Sequence, residues 1–223
     1  MSFKGGSEIR DIDYTGKDLD ALRAILVKGM ESVASVVSDM IGETINMSVP
    51  EVLLMSCEEI ARIRTYDIDE PSIGVQVEMS GDIQGYVALF FPPASAYYVV
   101  DLLLGDEHGT NGHLTEIGES ALCEIGNLAG AFFLNYLAEA TGLRAMPSPP
   151  VLNGSAVVTR ELQGFLRDLG QSDCIKAFVA QTVLSYSAES VDAMFFILPT
   201  HESLSTILAA LKRSGKEANG GIQ

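Results

Sequence analysis

The same order of predicted elements occurs twice along the chain, and this repeat constrains the possible folds more than any other feature. Each copy begins with a long helix, continues through a strand, a short helix and a hairpin, and ends with a proline and a helix. Two copies are too few for a solenoid, so we expect one domain built from two related halves. With an offset of 100 residues, identical residues pair as follows: Ala21, Leu22, Ile25, Gly42, Ser48 and Pro50 with Ala121, Leu122, Ile125, Gly142, Ser148 and Pro150.

Apolar periodicity and turn residues predict where the elements of each copy lie. The first copy is expected to contain a helix over 17–41, a strand over 44–55, a short helix over 57–64, a hairpin of 65–79 and 83–91, and a helix over 94–104. The second is expected to contain a helix from Thr115-Glu116 to Gly142, a strand over 151–158, a short helix over 160–168, a hairpin of 177–186 and 191–198, and a helix over 203–212.

These elements predict an α+β fold with a pseudo-twofold internal duplication, in which long helices flank an antiparallel sheet. Residues 17–212 would form a single domain made of two repeats, 17–104 and 115–212. Residues 1–16 and 213–223 are rich in glycine and polar residues, so we expect a flexible lead and a flexible tail.

The charge of the chain excludes several classes of partner. Fourteen basic against thirty acidic residues give a net charge of −16, and no cluster of Lys and Arg is available for nucleic acid or an anionic membrane surface. The three cysteines, Cys57, Cys123 and Cys174, are widely spaced, which argues for a reducing compartment. No signal peptide or run of about 18 apolar residues is present, so a cytoplasmic protein without a membrane span is expected.

One long helix carries a stripe of polar residues on an otherwise apolar segment. Ser120, Glu124 and Asn127 are spaced by four and then three positions, which places them on one face of a helix. The first copy has lost this set. Its counterparts of these three residues are Asp20, Ala24 and Val27, with Pro50 in the place of Pro150. If the stripe has a function, the chain has one working site and one degenerate site.

Small residues surround the stripe. Ala131 continues it, and Gly126 and Gly130 are close in sequence, so we expect a small-residue surface that the backbone of a partner could approach. The plainer alternative is that Glu124 and Asn127 are the solvated face of an amphipathic helix.

The spacing Ser120-x3-Glu124-x2-Asn127-x22-Pro150 resembles the [Asp/Ser]-x3-Glu-x2-Asn-x22-Pro signature of the CheC, CheX and FliY family. The resemblance covers residues 17–212, including both repeats. It implies a phosphatase that hydrolyses the aspartyl phosphate of the response regulator CheY, with Asn127 holding the attacking water and Glu124 engaging the lysine of the regulator. It also implies that Mg²⁺ is bound by the regulator and that this chain binds no cofactor or metal. A further implied partner is the receptor deamidase CheD, which would contact residues 159–168.

Elementary chemistry is consistent with these implied roles. An acyl phosphate is already activated, so a catalyst mainly needs to place a water molecule in line with phosphorus. A neutral amide can both donate and accept hydrogen bonds without adding negative charge. Neither role requires a nucleophile or a shifted pKa in this chain.

Several alternatives stay open at this level. The chain could be a non-catalytic adaptor that binds phosphorylated CheY or CheD, or a flagellar switch component like FliY, although no motor domain is expected after residue 212.

Single residues also have alternative interpretations. Ser120 could be a helix-entry residue or a direct contact, and Pro150 is expected to shape a strand. Cys123 is expected to be a buried small residue because no histidine is near in sequence. The set Asp39, Glu43 and Asn46 also fits the first part of the signature, but Gly42 interrupts it.

Overall fold

In the part of the chain that the structure describes, an antiparallel sheet of eight strands carries four helices on one face and a short helix on the other. The computed structural model describes residues 14–49, 52–56, 59, 71–106, 112–168, 176–186 and 189–220. The helices are α1 (Gly16–Ile41), α2 (Pro93–Leu104), α3 (Glu116–Thr141), α4 (Val158–Asp168) and α5 (His201–Gly220). The strands are β1 (Asn46–Ser48), β2 (Val52–Ser56), β3 (Ser72–Gly81), β4 (Gly85–Phe91), β5 (Ala145–Pro147), β6 (Val151–Ala156), β7 (Lys176–Tyr186) and β8 (Glu189–Pro199).

The strand order is β1-β7-β8-β4-β3-β5, with β2 also paired to β7 and β6 also paired to β3. Strands β4 and β8 meet at the centre, where Val87 lies opposite Ile197. The pairing pattern is symmetric: each of the strands β1, β2, β3 and β4 has the same partners as β5, β6, β7 and β8, respectively, once every partner is replaced by its counterpart in the other half. The α+β class and the antiparallel sheet are confirmed, and duplication of an ancestral unit stays a prediction.

Alternate residues of the central strands belong to two different hydrophobic layers, because side chains alternate between the faces of a sheet. In β4, Leu89 and Phe91 belong to the larger layer, which lies under the long helices. Ala88 and Phe90 face the other way into a smaller layer with Phe165 of α4. Helix α4 therefore lies on the opposite face of the sheet from α1 and α3.

The two long helices contact each other through their middle turns. A Cβ atom at Gly29 would lie 3.5 Å from the backbone nitrogen of Phe133, so the helices are close at this point. The hydroxyl groups of Ser32 and Tyr136 are 2.9 Å apart and form a hydrogen bond across the same contact. The buried ring of Phe133 continues the packing down to Phe195 of β8, with ring centroids 6.0 Å apart.

Helix α3 is the one helix in the described part of the chain that is long and apolar enough to cross a membrane by length and composition. Its apolar residues Leu122, Ile125 and Phe133 are buried in the domain core. A core helix of a soluble domain has this composition, and the cytoplasmic location stays a prediction.

Local sequence signals account for the ends of the long helices. Thr15 and Asp18 form a capping box at the start of α1, and Thr115 caps α3 by accepting a hydrogen bond from the Gly118 nitrogen. Gly42 and Gly142 end the two helices in the left-handed conformation, with φ of 75° and 72°. The predicted starts and ends of these helices are therefore confirmed to within one residue.

Several other predicted bounds were wrong. The strand predicted over 44–55 is two short strands, β1 and β2, which both pair with β7. The strand predicted over 151–158 ends at Ala156, because Val158 begins α4. The first hairpin turns later than predicted, since β3 runs through Gly81 and β4 starts at Gly85. The short helix predicted over 57–64 and the residue Pro50 lie outside the described residues.

Helical structure extends into both of the segments that were predicted to be flexible. Gly16 is already helical, and Tyr14 packs against the larger hydrophobic layer. At the other end, α5 continues past residue 212 to Gly220, because Lys216, Glu217 and Ala218 favour a helix and no proline interrupts it.

Gly126 and Gly130 face the sheet and are buried, so the expected small-residue surface for a partner's backbone was wrong. A Cβ atom at Gly126 would fall on Cγ1 of Val75, closer than two carbon atoms can approach. A Cβ atom at Gly130 would lie 3.7 Å from Val77. These glycines lie on the buried side of the helix, next to the half-buried Asn127, where they allow α3 to lie close to β3.

This close approach predicts opposite effects for two Gly→Ala substitutions in helices. Gly126→Ala should lower the free energy of unfolding by about 1–2 kcal/mol, because overpacking against Val75 outweighs the gain in helix propensity. Gly164→Ala in α4 should raise it by about 0.5–1 kcal/mol, since a Cβ atom there meets nothing within 4 Å. Urea denaturation measures both values, and a Gly126→Ala variant as stable as the wild type would show that α3 can move away from the sheet at no cost.

Candidate functional site

Helix α3 presents the polar stripe to solvent well inside the helix, away from its ends. Ser120 and Glu124 are exposed, and Asn127 is half-buried. Glu124 and Asn127 lie about 4.5 Å apart along the helix axis, because each residue rises about 1.5 Å. The carboxylate and the amide can therefore reach two neighbouring groups on one docked partner.

Ser120 is not the helix-entry residue, because Thr115 caps α3 and Ser120 comes five positions later. Its hydroxyl donates a hydrogen bond of 2.9 Å to the carbonyl oxygen of Glu116 in the preceding turn. This bond holds the side chain against the helix, so Ser120 presents a small surface next to Glu124.

Pro150 is brought to the same region by the sheet. It lies between β5 and β6, and both strands pair with β3. The pairing of Val151 with Gln76 places Pro150 across from Val77, whose side chain faces Gly130 in the turn after Asn127. Pro150 is half-buried, and its role in shaping the strand stays a prediction.

The corner that holds Pro150 is fixed by hydrogen bonds. The Ser148 nitrogen donates to the carbonyl oxygen of Glu78, and the Glu78 nitrogen donates to the Ser148 hydroxyl, at 2.9 Å and 3.0 Å. The structure thus places Glu124 and Asn127 on one face of α3 and holds the corner around Pro150 against β3.

The corresponding face of α1 has a different surface. Asp20 and Ala24 are exposed and Val27 is half-buried, as their counterparts in α3 are, but no carboxylate or amide stands at positions 24 and 27. An open groove of about 480 Å³ lies on this side of the helix pair. It is lined by Ala21, Ala24, Ile25, Lys28, Tyr136, Glu139, Ala140 and Leu211.

Other sequence candidates are not assembled into sites. Asp39 lies in α1, Glu43 follows the end of the helix at Gly42, and Asn46 begins β1, so the three share no helical face. Within the described ranges, no group of three or more His, Cys, Asp or Glu side chains is placed to hold a metal ion.

Ile117 is a neighbour of the polar stripe that the predicted motif does not include. It lies three residues before Ser120 and seven before Glu124, so it extends the stripe by one turn, and its side chain is 66% exposed. The signal in the sequence was an isoleucine on the polar face of an amphipathic helix, where a charged or polar residue is normal.

Cys123 lies beside the stripe and is a free thiol. Burial raises the pKa of the Cys123 thiol, and the carboxylate of Glu119 adds to the rise. The thiol is therefore less ionised at a given pH than an exposed cysteine, which agrees with a packing role and disfavours a nucleophile.

This pKa shift can be measured in a protein that carries Cys57→Ser and Cys174→Ser. We expect the pH at which iodoacetamide labels Cys123 at half its maximal rate to lie higher in the folded protein than in urea. Glu119→Gln should lower this pH, because it removes one negative charge near the thiolate. A folded-state midpoint at or below the value in urea would contradict the burial of the thiol.

Comparison with known proteins identifies relatives of the whole domain. No protein-family model matches the sequence. The CheY-P phosphatase CheC of Bacillus subtilis (strain 168) is 27% identical over 205 residues, which cover 89% of this chain and 95% of that protein.

Solved structures share the fold at lower identity. FliY of Thermotoga maritima superposes with a TM-score of 0.73 at 18% identity, over 90% of this chain and 98% of that one. The middle domain of FliM from H. pylori superposes with a TM-score of 0.64 at 15% identity, over 88% and 99% of the two chains. The chain is therefore similar to CheC over nearly its full length, and it shares the fold of FliY and of the FliM middle domain.

Proposed function

We propose that this protein is a phosphatase that hydrolyses the aspartyl phosphate of the response regulator CheY. The observation that carries the proposal is the arrangement on α3, where exposed Glu124 and half-buried Asn127 share one face. The sequence relationship to a CheY-P phosphatase supports the same activity.

Asn127 has the properties needed to position a water molecule for attack on the phosphoryl group. Its half-buried position restricts the side chain, so less conformational entropy is lost when the amide is aligned. The amide carbonyl can accept a hydrogen bond from the water while the group adds no charge next to the phosphate. The rate enhancement would come from orienting that water in line with the phosphorus atom.

Glu124 would fix the orientation of the docked regulator. It lies one turn before Asn127 and is exposed, so its carboxylate can form an ion pair with a lysine that borders the phosphorylated aspartate. Mg²⁺ would be bound by the regulator, and no residue of this chain is assigned to it.

Helix α4 is the proposed contact for CheD. Phe165 anchors it by stacking on Tyr86, with ring centroids 4.6 Å apart, and Glu161 accepts a hydrogen bond from Asn153. Because α4 lies on the opposite face of the sheet from α3, a protein bound there would leave the stripe accessible to CheY.

The activity is tested by the decay of phosphorylated CheY, taken from the genome that encodes this chain. The wild type should accelerate the decay, and Asn127→Ala should reduce that acceleration by about 100-fold, comparable to the loss of one well-placed transition-state donor. Asn135→Ala is the matched control, since Asn135 is exposed on the same helix two turns further on and should retain full activity.

Binding must be measured in the same experiment, with CheY activated by beryllofluoride. If the wild type binds activated CheY but leaves the decay unchanged, the chain is a non-catalytic adaptor and the phosphatase proposal is wrong. Equal losses in Asn127→Ala and Asn135→Ala would show that Asn127 has no special role.

A second site should not arise when the stripe alone is rebuilt on α1. In an Asn127→Ala background, Ala24→Glu combined with Val27→Asn should leave the decay of phosphorylated CheY at the level of that background. Where α3 has Gly126 and Gly130, α1 has Leu26 and Met30, both buried, so α1 cannot approach its strands as closely. Recovery of activity, measured as above, would show that the carboxylate and amide suffice without this close packing.

A further inference from the structure

The first turn of α3 carries an exposed apolar side chain next to the proposed site. Ile117 is 66% exposed, although isoleucine is among the residues most often found fully buried. It lies on the same face as Ser120 and Glu124, which are also exposed. The result is one apolar side chain on the helix face that also carries the Glu124 carboxylate.

The counterpart of Ile117 in the first repeat is Lys17, which is exposed at the start of α1. An exposed lysine at a helix start is usual on a solvated surface, whereas an exposed isoleucine loses free energy by contact with water. The apolar residue therefore occurs in the copy that also has Glu124 and Asn127, and is absent from the copy that lacks them.

The size of a protein interface decides whether a docked regulator would cover Ile117. A typical complex buries about 800 Å² on each partner, which corresponds to a disc with a radius of about 16 Å. Along the helix axis, Ile117 lies about 13 Å from the midpoint between Glu124 and Asn127. A folded domain centred on those two residues would therefore also cover Ile117.

We propose that Ile117 is an apolar contact for the phosphorylated regulator and determines affinity for it. The inference rests on the proposed function and extends it by naming a binding residue that takes no part in hydrolysis. The matching surface of the regulator would be an apolar patch, about 10 Å along the helix from the lysine that pairs with Glu124. Burial of Ile117 would favour the complex without changing the position of the water held by Asn127.

The test separates affinity from chemistry. For Ile117→Ala we expect KM for phosphorylated CheY to rise about tenfold while kcat stays within about twofold. The reason is that burial of the lost side chain would raise the affinity roughly tenfold. The dissociation constant for beryllofluoride-activated CheY should rise by the same factor. Ile117→Leu should restore most of the affinity, and Ile117→Lys, which copies Lys17, should weaken binding further.

Leu53→Ala is the matched control. Leu53 is 40% exposed on β2, which pairs with β7 and is separated from β3 by two further strands. This variant should leave both KM and the dissociation constant unchanged. Unaltered melting temperatures for all four variants would exclude misfolding, since both side chains are exposed.

The outcomes distinguish this inference from the proposed function. If the wild type hydrolyses phosphorylated CheY and Ile117→Ala does not change affinity, the inference is overturned and the phosphatase stands. If the wild type binds without hydrolysis and Ile117→Ala weakens binding, the docking surface stands and the phosphatase is wrong. A wild type that neither binds nor hydrolyses overturns both.

Discussion

The close approach of α3 to β3 is the constraint on which the rest of the structure depends. Two glycines, Gly126 and Gly130, leave no side chain between the helix and Val75 and Val77. Because each glycine in a helix interior costs about 1 kcal/mol relative to alanine, their presence on α3 requires a compensating gain from packing. That gain is a helix packed directly on the sheet, with its exposed side, which carries Glu124 and Asn127, held in a fixed position.

The helices of this fold could be predicted well because their signals are local. Thr115, Gly42 and Gly142 mark helix ends through capping, which depends on a few neighbouring residues. The strands were harder to predict, because the break between β1 and β2 depends on pairing with β7, more than 120 residues away. Periodicity within 44–55 carries no information about that partner.

The candidate site shows the same division between local and distant information. The spacing of Ser120, Glu124 and Asn127 predicted a shared face, and the structure places them on one side of α3. The environment of Gly126 and Gly130 could not be predicted, because the sequence does not say which side of an apolar helix meets the sheet. The orientation of α3 is set by its contacts with Val75 and Val77 of β3, which are about 50 residues away in sequence.

The exchange of strands between the two halves of the chain makes the position of α3 depend on both. β5 and β6 of the second half pair with β3 of the first, while β1 and β2 of the first pair with β7 of the second. Neither half has a complete sheet of its own, so each supplies strands that complete the sheet of the other. Substitutions of exposed polar residues of α1 can leave the fold intact, whereas loss of β3 would remove the strand on which α3 packs. The first half thus supports the polar stripe, although Ser120, Glu124 and Asn127 all lie in the second.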